Sequence, residues 1–204
     1  MSGPNLDSLR ERLLFRARHS AREVFPALFR MAWLRFCGAE IGKNTFIPKV
    51  AITWPHQLRI GDNCVLEPDI FFKFDGVWKA GPSIILGDGV FICRGCEFNI
   101  RRRITVGDKC AIASGCKFVD HDHGIEGEQI DETPGLEAEI TLGKHVWLGC
   151  NVVVLKGVTI GSSAVVGAGA VVTKDIPAGE IWAGVPARKL SSREEHSRAK
   201  LSCC

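Results

Sequence analysis

Two histidines, His121 and His123, are the residues of this sequence best suited to acid–base chemistry. They lie in the segment Val119-Asp120-His121-Asp122-His123-Gly124, among acidic side chains. A neutral imidazole accepts a proton at near-neutral pH, so either residue can serve as a general base. A histidine pair in a polar segment is also typical of a plain surface turn, so the elements that position the pair must decide.

Metal chemistry and reactive-cysteine chemistry receive less support. A zinc site of the β-helical carbonic anhydrase type needs three converging histidines. Here His121 and His123 are two residues apart, and residues 86–105 contain no histidine. Cys93 and Cys96 form a CxxC pair without a second one. We therefore expect no metal site, and small apolar packing roles for most of the nine cysteines.

A six-residue period runs through most of the chain. Its leading aliphatic positions include Leu142, Leu148, Val154, Ile160, Val166 and Val172. A small or aliphatic residue follows four positions after each, at Val146, Val152, Val158, Ala164, Ala170 and Ile176. Further sets begin at Ile41, Ile60, Leu86 and Val106, with Thr45, Ala51, Cys64, Cys96, Cys110 and Cys116 in the small slot. The pattern is a hexapeptide repeat.

Three such hexads make one triangular turn of a parallel β-helix, in which each short strand pairs with strands one turn above and below. The repeat predicts about six turns over residues 41–177, and the doubled interval from Val106 to Leu142 predicts an extruded loop at about 120–139. We expect an all-β fold with an N-terminal α-helical segment at 1–40, a β-helix domain at 41–190 and a C-terminal tail at 191–204.

Charge and cysteine content narrow the function classes. A net charge of +3 is too small for a typical nucleic-acid-binding protein, so we expect no nucleic-acid partner. The odd number of cysteines, and the lack of an apolar run behind a basic start, predict a cytoplasmic protein. The β-helix itself leaves acyltransferases, zinc carbonic anhydrases and non-catalytic scaffold subunits open, because a fold does not fix a function.

The last hexads carry a more specific signal. The chain reads ITLGKHVWLG at 140–149, GVTIG at 157–161, VGAGAVVTKDIP at 166–177 and AGVPAR at 183–188. This combination resembles the hexapeptide-repeat O-acetyltransferases, namely the galactoside/maltose acetyltransferases and the acetyltransferases of exopolysaccharide and O-antigen synthesis. The resemblance implies a left-handed β-helix and a homotrimer with an active site in each groove between subunits. It also implies acetyl-CoA as the donor, bound along the outside of the C-terminal turns.

The resemblance further implies roles for single residues. His123 matches the family's catalytic histidine, which takes the proton of a sugar hydroxyl as acetyl passes directly from acetyl-CoA to a glycan. The backbone N–H of Cys150 would stabilise the oxyanion. The positions that match CoA contacts are Cys150, Ala168, Thr173, Lys174 and Arg188, of which the two cations can neutralise phosphates. His121, Asp120 and the loop carboxylates stay open as groups that orient His123.

Two positions depart from the galactoside enzymes. Cys93 stands where they have an asparagine, and Arg101 stands where they have a substrate-contacting aspartate. We assign Cys93, Arg101 and His121 to acceptor binding, and the run Arg101–Arg103 favours an anionic acceptor in surface-polysaccharide synthesis. A serine- or antibiotic-type O-acetyltransferase is the alternative within the enzyme class, and a β-helical scaffold subunit is the alternative outside it.

The N-terminal segment is basic and amphipathic. Residues 1–36 contain seven arginines and three acidic residues, interleaved with apolar side chains over residues 6–36. Such a helix can lie on an anionic membrane, which would make the protein peripheral to the inner face of the membrane. The alternative is a helix that packs against the end of the β-helix.

Overall fold

The computed structural model describes residues 28–124 and 134–195, and its short strands wind into three sheets around one core. Sheet 1 contains β1 (Glu40–Ile41), β3 (Leu58–Ile60), β6 (Ile84–Leu86), β9 (Ile104–Val106), β12 (Ile140–Leu142) and β15 (Thr159–Ile160). Sheet 2 contains β4 (Val65–Leu66), β7 (Phe91–Ile92), β10 (Ala111–Ile112), β13 (Trp147–Leu148), β16 (Val165–Val166), β18 (Glu180–Ala183) and β19 (Arg188–Ser192). Sheet 3 contains β2 (Ala51–Ile52), β5 (Phe71–Phe74), β8 (Glu97–Ile100), β11 (Lys117–Val119), β14 (Val153–Leu155) and β17 (Val171–Val172).

Each strand pairs in parallel with the strand one turn away. In sheet 1, for example, Ile140 of β12 lies opposite Ile104 of β9, and Leu142 lies opposite Ile160 of β15. The predicted parallel β-helix of about six turns is therefore confirmed. The extruded loop is also present, because β11 ends at Val119 and β12 begins at Ile140.

The hexads form this structure because their two apolar positions point inward from every side of the prism. The leading residues and the small-slot residues of the regular hexads are buried, including Cys64, Cys96, Cys110 and Cys116. Burying one such aliphatic side chain contributes about 1.5–3 kcal/mol. On the inside of sheet 3, Phe98 stacks between Phe72 and Phe118, with ring centroids 5.0 and 4.6 Å away.

The first turn departs from the strict period. Ala51, expected in an inward small slot, is exposed, so that prediction was wrong. Ile52 lies opposite Phe72, a leading position of the next turn, and Ala51 lies opposite the outward Phe71. The chain between Ile47 and Ile52 is one residue shorter than a hexad, which shifts Ala51 onto the outer face.

Helix α1, described over residues 28–36, covers the N-terminal end of the β-helix. Leu34 is buried and Met31 packs against the core. Arg30 donates to the carbonyl of Ile47 at 3.2 Å, and Arg35 donates to that of Ile41 at 3.0 Å. These contacts support packing against the end of the β-helix. Residues 6–27 of the proposed membrane-binding segment lie outside the described residues.

The C-terminal end is closed by a hairpin. Strand β18 adds to sheet 2 in parallel with β16, and β19 returns antiparallel to β18. Lys189 pairs with Glu180 at 2.6 Å and stabilises the hairpin. The strand β19 continues to Ser192 and is followed by helical residues 193–195, and residues 196–204 lie outside the described part.

Two edges of the prism matter for function. The chain passes from sheet 3 to sheet 1 through the turns at 53–57, 75–83, 101–103, 120–139, 156–158 and 173–175, which together we call the loop edge. It passes from sheet 2 to sheet 3 through the turns at 67–70, 93–96, 113–116, 149–152 and 167–170, which we call the cysteine edge. In the described part of the β-helix, the long insertions between strands lie on the loop edge.

Candidate active site

The extruded loop is rooted on the carboxylate of Asp120. Its two oxygens accept the backbone N–H groups of Arg101 and Arg102, each at 2.8 Å, from the turn below. Nδ1 of His121 lies 3.0 Å from Oδ1 of Asp120. Asp120 is 0% exposed and His121 is 6% exposed, so these contacts replace the water that both polar groups lose. Because a carboxylate only accepts, His121 carries its proton on Nδ1 and presents Nε2 as an acceptor.

The loop leaves and returns side by side. The N–H of Asp122 donates to the carbonyl of Leu136 at 3.1 Å, and the N–H of Ala138 donates to that of Asp120 at 2.9 Å. Oδ1 of Asp122 accepts the N–H of Leu136 at 2.7 Å, and Lys156 from the next turn forms an ion pair with the same carboxylate. The hydrogen bond from Lys156 lowers the pKa of Asp122. This short antiparallel pair fixes the base of the loop beside the histidines.

His123 is the solvent-exposed member of the histidine pair. Its ring lies edge-on to that of His121, with centroids 6.3 Å apart and planes inclined by 72°. Asp120 thus holds a buried histidine, and the next histidine along the chain is exposed at the loop edge. This division of exposure suits an outer base and an inner positioning group.

The backbone of Arg101 lies next to this pair, because its N–H donates to Asp120. Its side chain is half-buried, and Nε has no hydrogen-bond partner. Nearby, Lys73 donates to Asp75 at 3.0 Å. That hydrogen bond lowers the pKa of Asp75, and the positive charge of Arg101 lowers it further.

A second group of predicted residues lies on the cysteine edge. The carbonyl of Cys150 accepts the N–H of Gly169 at 2.8 Å, which stacks Cys150 against Ala168 of the next turn. A Cβ on Gly149 would lie 2.6 Å from the backbone nitrogen of Ala168, so only glycine permits this close approach. Arg188 lies above, opposite Ala183 in the closing hairpin. Cys150, Ala168 and Arg188 are all exposed, which leaves an open surface of small residues next to one cation.

One chain does not bring all the predicted residues together. Cys93, Cys150, Ala168 and Arg188 lie on or above the cysteine edge, whereas Arg101, His121, His123, Thr173 and Lys174 lie on the loop edge. Sheet 3 separates the two groups, and the three residues of β14 alone span roughly 10 Å. Within one chain, Cys150 therefore lies on the far side of sheet 3 from His123.

The cysteines of the described residues differ in their exposure to solvent. Cys150 is exposed and Cys93 is half-buried. Burial and the neighbouring Glu67 raise the pKa of Cys93. Burial raises the pKa of Cys110 to about 11. Over residues 28–124 and 134–195 no group of three or more His, Cys, Asp or Glu side chains is arranged to hold a metal ion.

Comparison with known proteins identifies the family. Residues 139–174 match the family model described as bacterial transferase hexapeptide (six repeats). The putative colanic acid biosynthesis acetyltransferase WcaF of Escherichia coli (strain K12) is 32% identical over 168 residues, covering 82% of this chain and 76% of that relative. The chain belongs to the hexapeptide-repeat acetyltransferase family. The galactoside O-acetyltransferase of the same organism is 33% identical over 144 residues, covering 67% of this chain and 66% of that protein.

Solved structures extend this result. A galactoside acetyltransferase in complex with coenzyme A has a TM-score of 0.59 and 25% identity, covering 83% of this chain and 72% of that chain. The N-acyltransferase AntD of Bacillus cereus, in complex with dTDP-4-amino-4,6-dideoxyglucose and coenzyme A, has a TM-score of 0.69 at 22% identity, covering 85% of this chain and 97% of that chain. The predicted left-handed β-helix and the predicted acyltransferase class are confirmed for this hexapeptide-repeat acetyltransferase.

Several features of this site were not predictable from the residue pattern alone. Asp120 was one of several candidates for the group that orients His123. The two backbone N–H groups that donate to its buried carboxylate belong to the turn 18–19 residues earlier. Asn99, on the outer face of β8, has a buried Oδ1 without a partner. Trp54 and Trp78, in turns of the loop edge, were also overlooked, although large aromatic side chains in insertions are a usable signal. No described helix has the length and hydropathy required to cross a membrane.

Proposed function

We propose that this hexapeptide-repeat acetyltransferase transfers an acetyl group from acetyl-CoA to a hydroxyl of a sugar in surface-polysaccharide or related glycan synthesis. The observation that carries the proposal is the histidine pair at the root of the extruded loop, with His121 held by the buried Asp120 and His123 exposed beside it. The names of the relatives, a galactoside O-acetyltransferase and a colanic acid biosynthesis acetyltransferase, support a sugar acceptor.

In the proposed mechanism His123 acts as the general base. Its neutral imidazole takes the proton of the acceptor hydroxyl while that oxygen attacks the thioester carbonyl carbon. The backbone N–H of Cys150 stabilises the oxyanion of the tetrahedral intermediate. The carbon–sulfur bond then breaks, the proton passes from His123 to the departing sulfur, and free CoA leaves with the sugar ester formed. No covalent enzyme intermediate is required.

The donor would lie along the C-terminal turns. Exposed Ala168 and the glycines stacked against it leave room for the pantetheine arm close to the backbone. Thr173, Lys174 and Arg188 are exposed, and the two cations suit the phosphates of coenzyme A. Coenzyme A in the similar galactoside acetyltransferase structure supports this donor.

We infer that the active unit is a homotrimer with its sites between subunits. The His123 group and the Cys150 group lie on opposite edges of sheet 3, so a site that uses both needs a neighbouring copy of the chain. The outer face of sheet 2 offers an apolar row for subunit contacts, with Val65, Phe91, Ala111, Trp147, Val165 and Ile181 in register. Sedimentation at three times the 22.3 kDa of one chain tests this assembly.

The acceptor is proposed to be anionic. Arg101 has an unpartnered Nε, and Arg102 and Arg103 are exposed beside it. Glu139 lies 3.7 Å from Arg102 and neutralises one of these charges only in part. Replacing all three arginines by glutamine should raise the KM for the acceptor and leave the KM for acetyl-CoA unchanged.

A transfer assay with a panel of sugar, glycan and serine acceptors tests the proposal, with acetylated product detected by mass spectrometry. Acetyl-CoA at 100 times its Kd should stabilise the protein by about 2.7 kcal/mol. His123→Ala should lower kcat by roughly 10²–10⁴-fold and keep the thermal shift with acetyl-CoA. His145→Asn, at an exposed histidine on another edge, is the control. Transfer to serine alone, or no thermal shift at millimolar acetyl-CoA, would refute the glycan acetyltransferase assignment.

A further inference from the structure

Three buried side-chain atoms lack a hydrogen-bond partner in the part of the chain that the structure describes. They are Oε1 of Gln57, Oδ1 of Asn99 and Nε of Arg101. Buried polar atoms in folded proteins are nearly always paired, so each unpaired atom calls for an explanation. All three lie on the loop edge or beside it: Gln57 in the turn at 53–57, Asn99 near the end of β8, and Arg101 in the turn at 101–103. All three atoms are buried, so they show that the loop edge, which also carries the histidine pair, is polar beneath its surface.

An exposed aromatic cluster lies at the N-terminal end of the same edge. The ring of His56 lies between Trp54 and Trp78, with centroids 5.9 and 5.8 Å away. Trp54 is 45% exposed and Trp78 is 66% exposed. Indole rings that remain this exposed are a favourable surface for a ligand that is apolar on one face and polar at its rim.

Polar atoms with fixed roles border this cluster. Gln57 is 1% exposed, and its Nε2 donates to the carbonyl of Lys79 at 2.6 Å and to Nε2 of His56 at 3.0 Å. These contacts orient the amide and leave Oε1 buried without a partner. Nε2 of His56 also lies 3.2 Å from the carbonyl oxygen of Lys79, so Gln57 and Lys79 together hold this side of the ring. The cluster thus combines exposed aromatic faces with fixed polar groups at its border, which suits the C–H face and the hydroxyl rim of a sugar ring.

A chain of hydrogen bonds connects the turn that contains the cluster residue Trp78 to the histidine pair. Nζ of Lys79 donates to the carbonyls of Arg101 and Arg102 at 3.0 and 2.8 Å. The N–H groups of the same two arginines donate to Asp120, which holds His121. Adjacent turns are about 4.8 Å apart, so the three steps from the 53–57 turn to the 120–124 segment cover about 14 Å. That is the length of a short oligosaccharide.

We propose that the loop edge is an extended acceptor groove, in which the cluster of Trp54, His56 and Trp78 binds a second sugar ring of a glycan whose first sugar is acetylated at His123. Arg102 and Arg103, which are exposed in the turn between the two ends, supply the polar contacts. This inference rests on the proposed glycan acetyltransferase function and makes the acceptor an oligosaccharide or a growing chain. A lone monosaccharide fills only the end of the groove beside the histidines.

The test compares acceptors of increasing length. An array of bacterial surface oligosaccharides, graded from monosaccharides upward and including uronic acid sugars, is probed with the full-length protein. Ligands that bind are then used as acceptors in the transfer assay. We expect affinity to rise with length for the wild-type protein. The Trp54→Ala/Trp78→Ala variant should lose roughly ten- to a hundredfold in affinity for the longer ligands, and its kcat with monosaccharides should be unchanged.

Trp33→Ala is the matched control, because Trp33 is 63% exposed and belongs to helix α1, outside the turns of the loop edge. It should behave as wild type. Trp78→Ala alone repeats the test with a single change in an exposed turn, and acetyl-CoA thermal shifts verify that each variant folds.

The outcomes separate the two proposals. Transfer to sugars without a length preference, or a length preference that survives in Trp54→Ala/Trp78→Ala, overturns the groove and leaves the acetyltransferase function standing. Binding of long glycans that depends on Trp54 and Trp78, with no acetyl transfer to any of them, supports the groove and overturns the proposed reaction. Binding of nucleotides to the aromatic cluster in place of oligosaccharides, tested with free dTMP and UMP, also overturns the groove.

Discussion

Nδ1 of His121 lies 3.0 Å from Oδ1 of Asp120, a carboxylate that is completely buried and also accepts two backbone N–H groups. Asp120 therefore performs two tasks with one side chain. It fastens the root of the extruded loop to the turn below, and it fixes which nitrogen of His121 carries the proton. Loop position and histidine orientation are thereby coupled beside the exposed His123.

Asp120→Asn separates these tasks. The amide has one acceptor oxygen in place of two, so at least one backbone donor is left unpaired in a buried site. We expect a loss of roughly 1–3 kcal/mol in unfolding free energy. We also expect kcat to fall tenfold or more, because His121 loses its fixed tautomer, while the KM for acetyl-CoA is unchanged. Steady-state kinetics, their pH profile and denaturant unfolding measure these effects. A destabilised enzyme with wild-type kcat and pH profile would make Asp120 a purely structural residue.

Gly135→Ala tests the geometry of the loop root. A Cβ at position 135 would lie 1.9 Å from the carbonyl oxygen of Asp122, so the returning chain must move away from the histidines. A displacement of about 1 Å at a reacting group can cost a hundredfold in rate, and we expect kcat to fall tenfold or more. Thermal unfolding should change little, because Gly135 does not belong to the core inside the prism. Pro134→Ala, at the neighbouring exposed position, is the control; equal kcat for both variants would contradict the expectation.

The fold was predictable from the sequence because its rule is local. Leu142 and Leu148 are buried for the same reason, namely that a leading hexad residue points into the prism, and counting by six extends the rule to Val172. The hexad rule fails where the spacing between two leading residues is not six. Ala51 follows a segment one residue short, so it faces outward although the period assigns it an inward slot.

The site was predictable only in part, because its contacts run between turns and through insertions. The resemblance supplied His123 and Cys150, and the hexad count could have shown that they occupy different edges of the prism. The burial of Asp120 could not be predicted from the hexad count, because the six-residue period stops at Phe118. The two N–H groups that donate to Asp120 lie 18–19 residues earlier in the chain. Trp78 lies in an insertion of its own, where no repeat indicates its direction.

Alkylation of Cys150 tests the donor site. Its thiol is exposed, whereas Cys64, Cys96, Cys110 and Cys116 are buried. We expect iodoacetamide to modify Cys150 in the native protein and the buried thiols only after unfolding, since burial raises the pKa of Cys110 to about 11 and leaves almost no thiolate. Saturating acetyl-CoA should slow modification of Cys150 and leave half-buried Cys37 unaffected, as read by peptide mass spectrometry. Equal modification with and without acetyl-CoA would remove Cys150 from the donor site.

The ion pair between Asp122 and Lys156 gives a pH-dependent signature. Lys156 lowers the pKa of Asp122 below the ordinary value of 3.8. The pair therefore stabilises the folded state at any pH above 3.8, and the stabilisation is lost as the pH falls through the lowered pKa. We expect the Tm of the wild-type protein to exceed that of Asp122→Asn at neutral pH, and the difference to shrink in acid.

The asparagine keeps the oxygen that accepts the N–H of Leu136, so the comparison isolates the charge. Lys156→Met removes the other charge of the pair, so its Tm should differ from that of the wild-type protein with the same dependence on pH. High salt should narrow the gap at neutral pH, because both side chains are partly exposed. A Tm difference that stays constant from neutral pH to well below 3.8 would mean that Asp122 acts through the Leu136 hydrogen bond and not through Lys156.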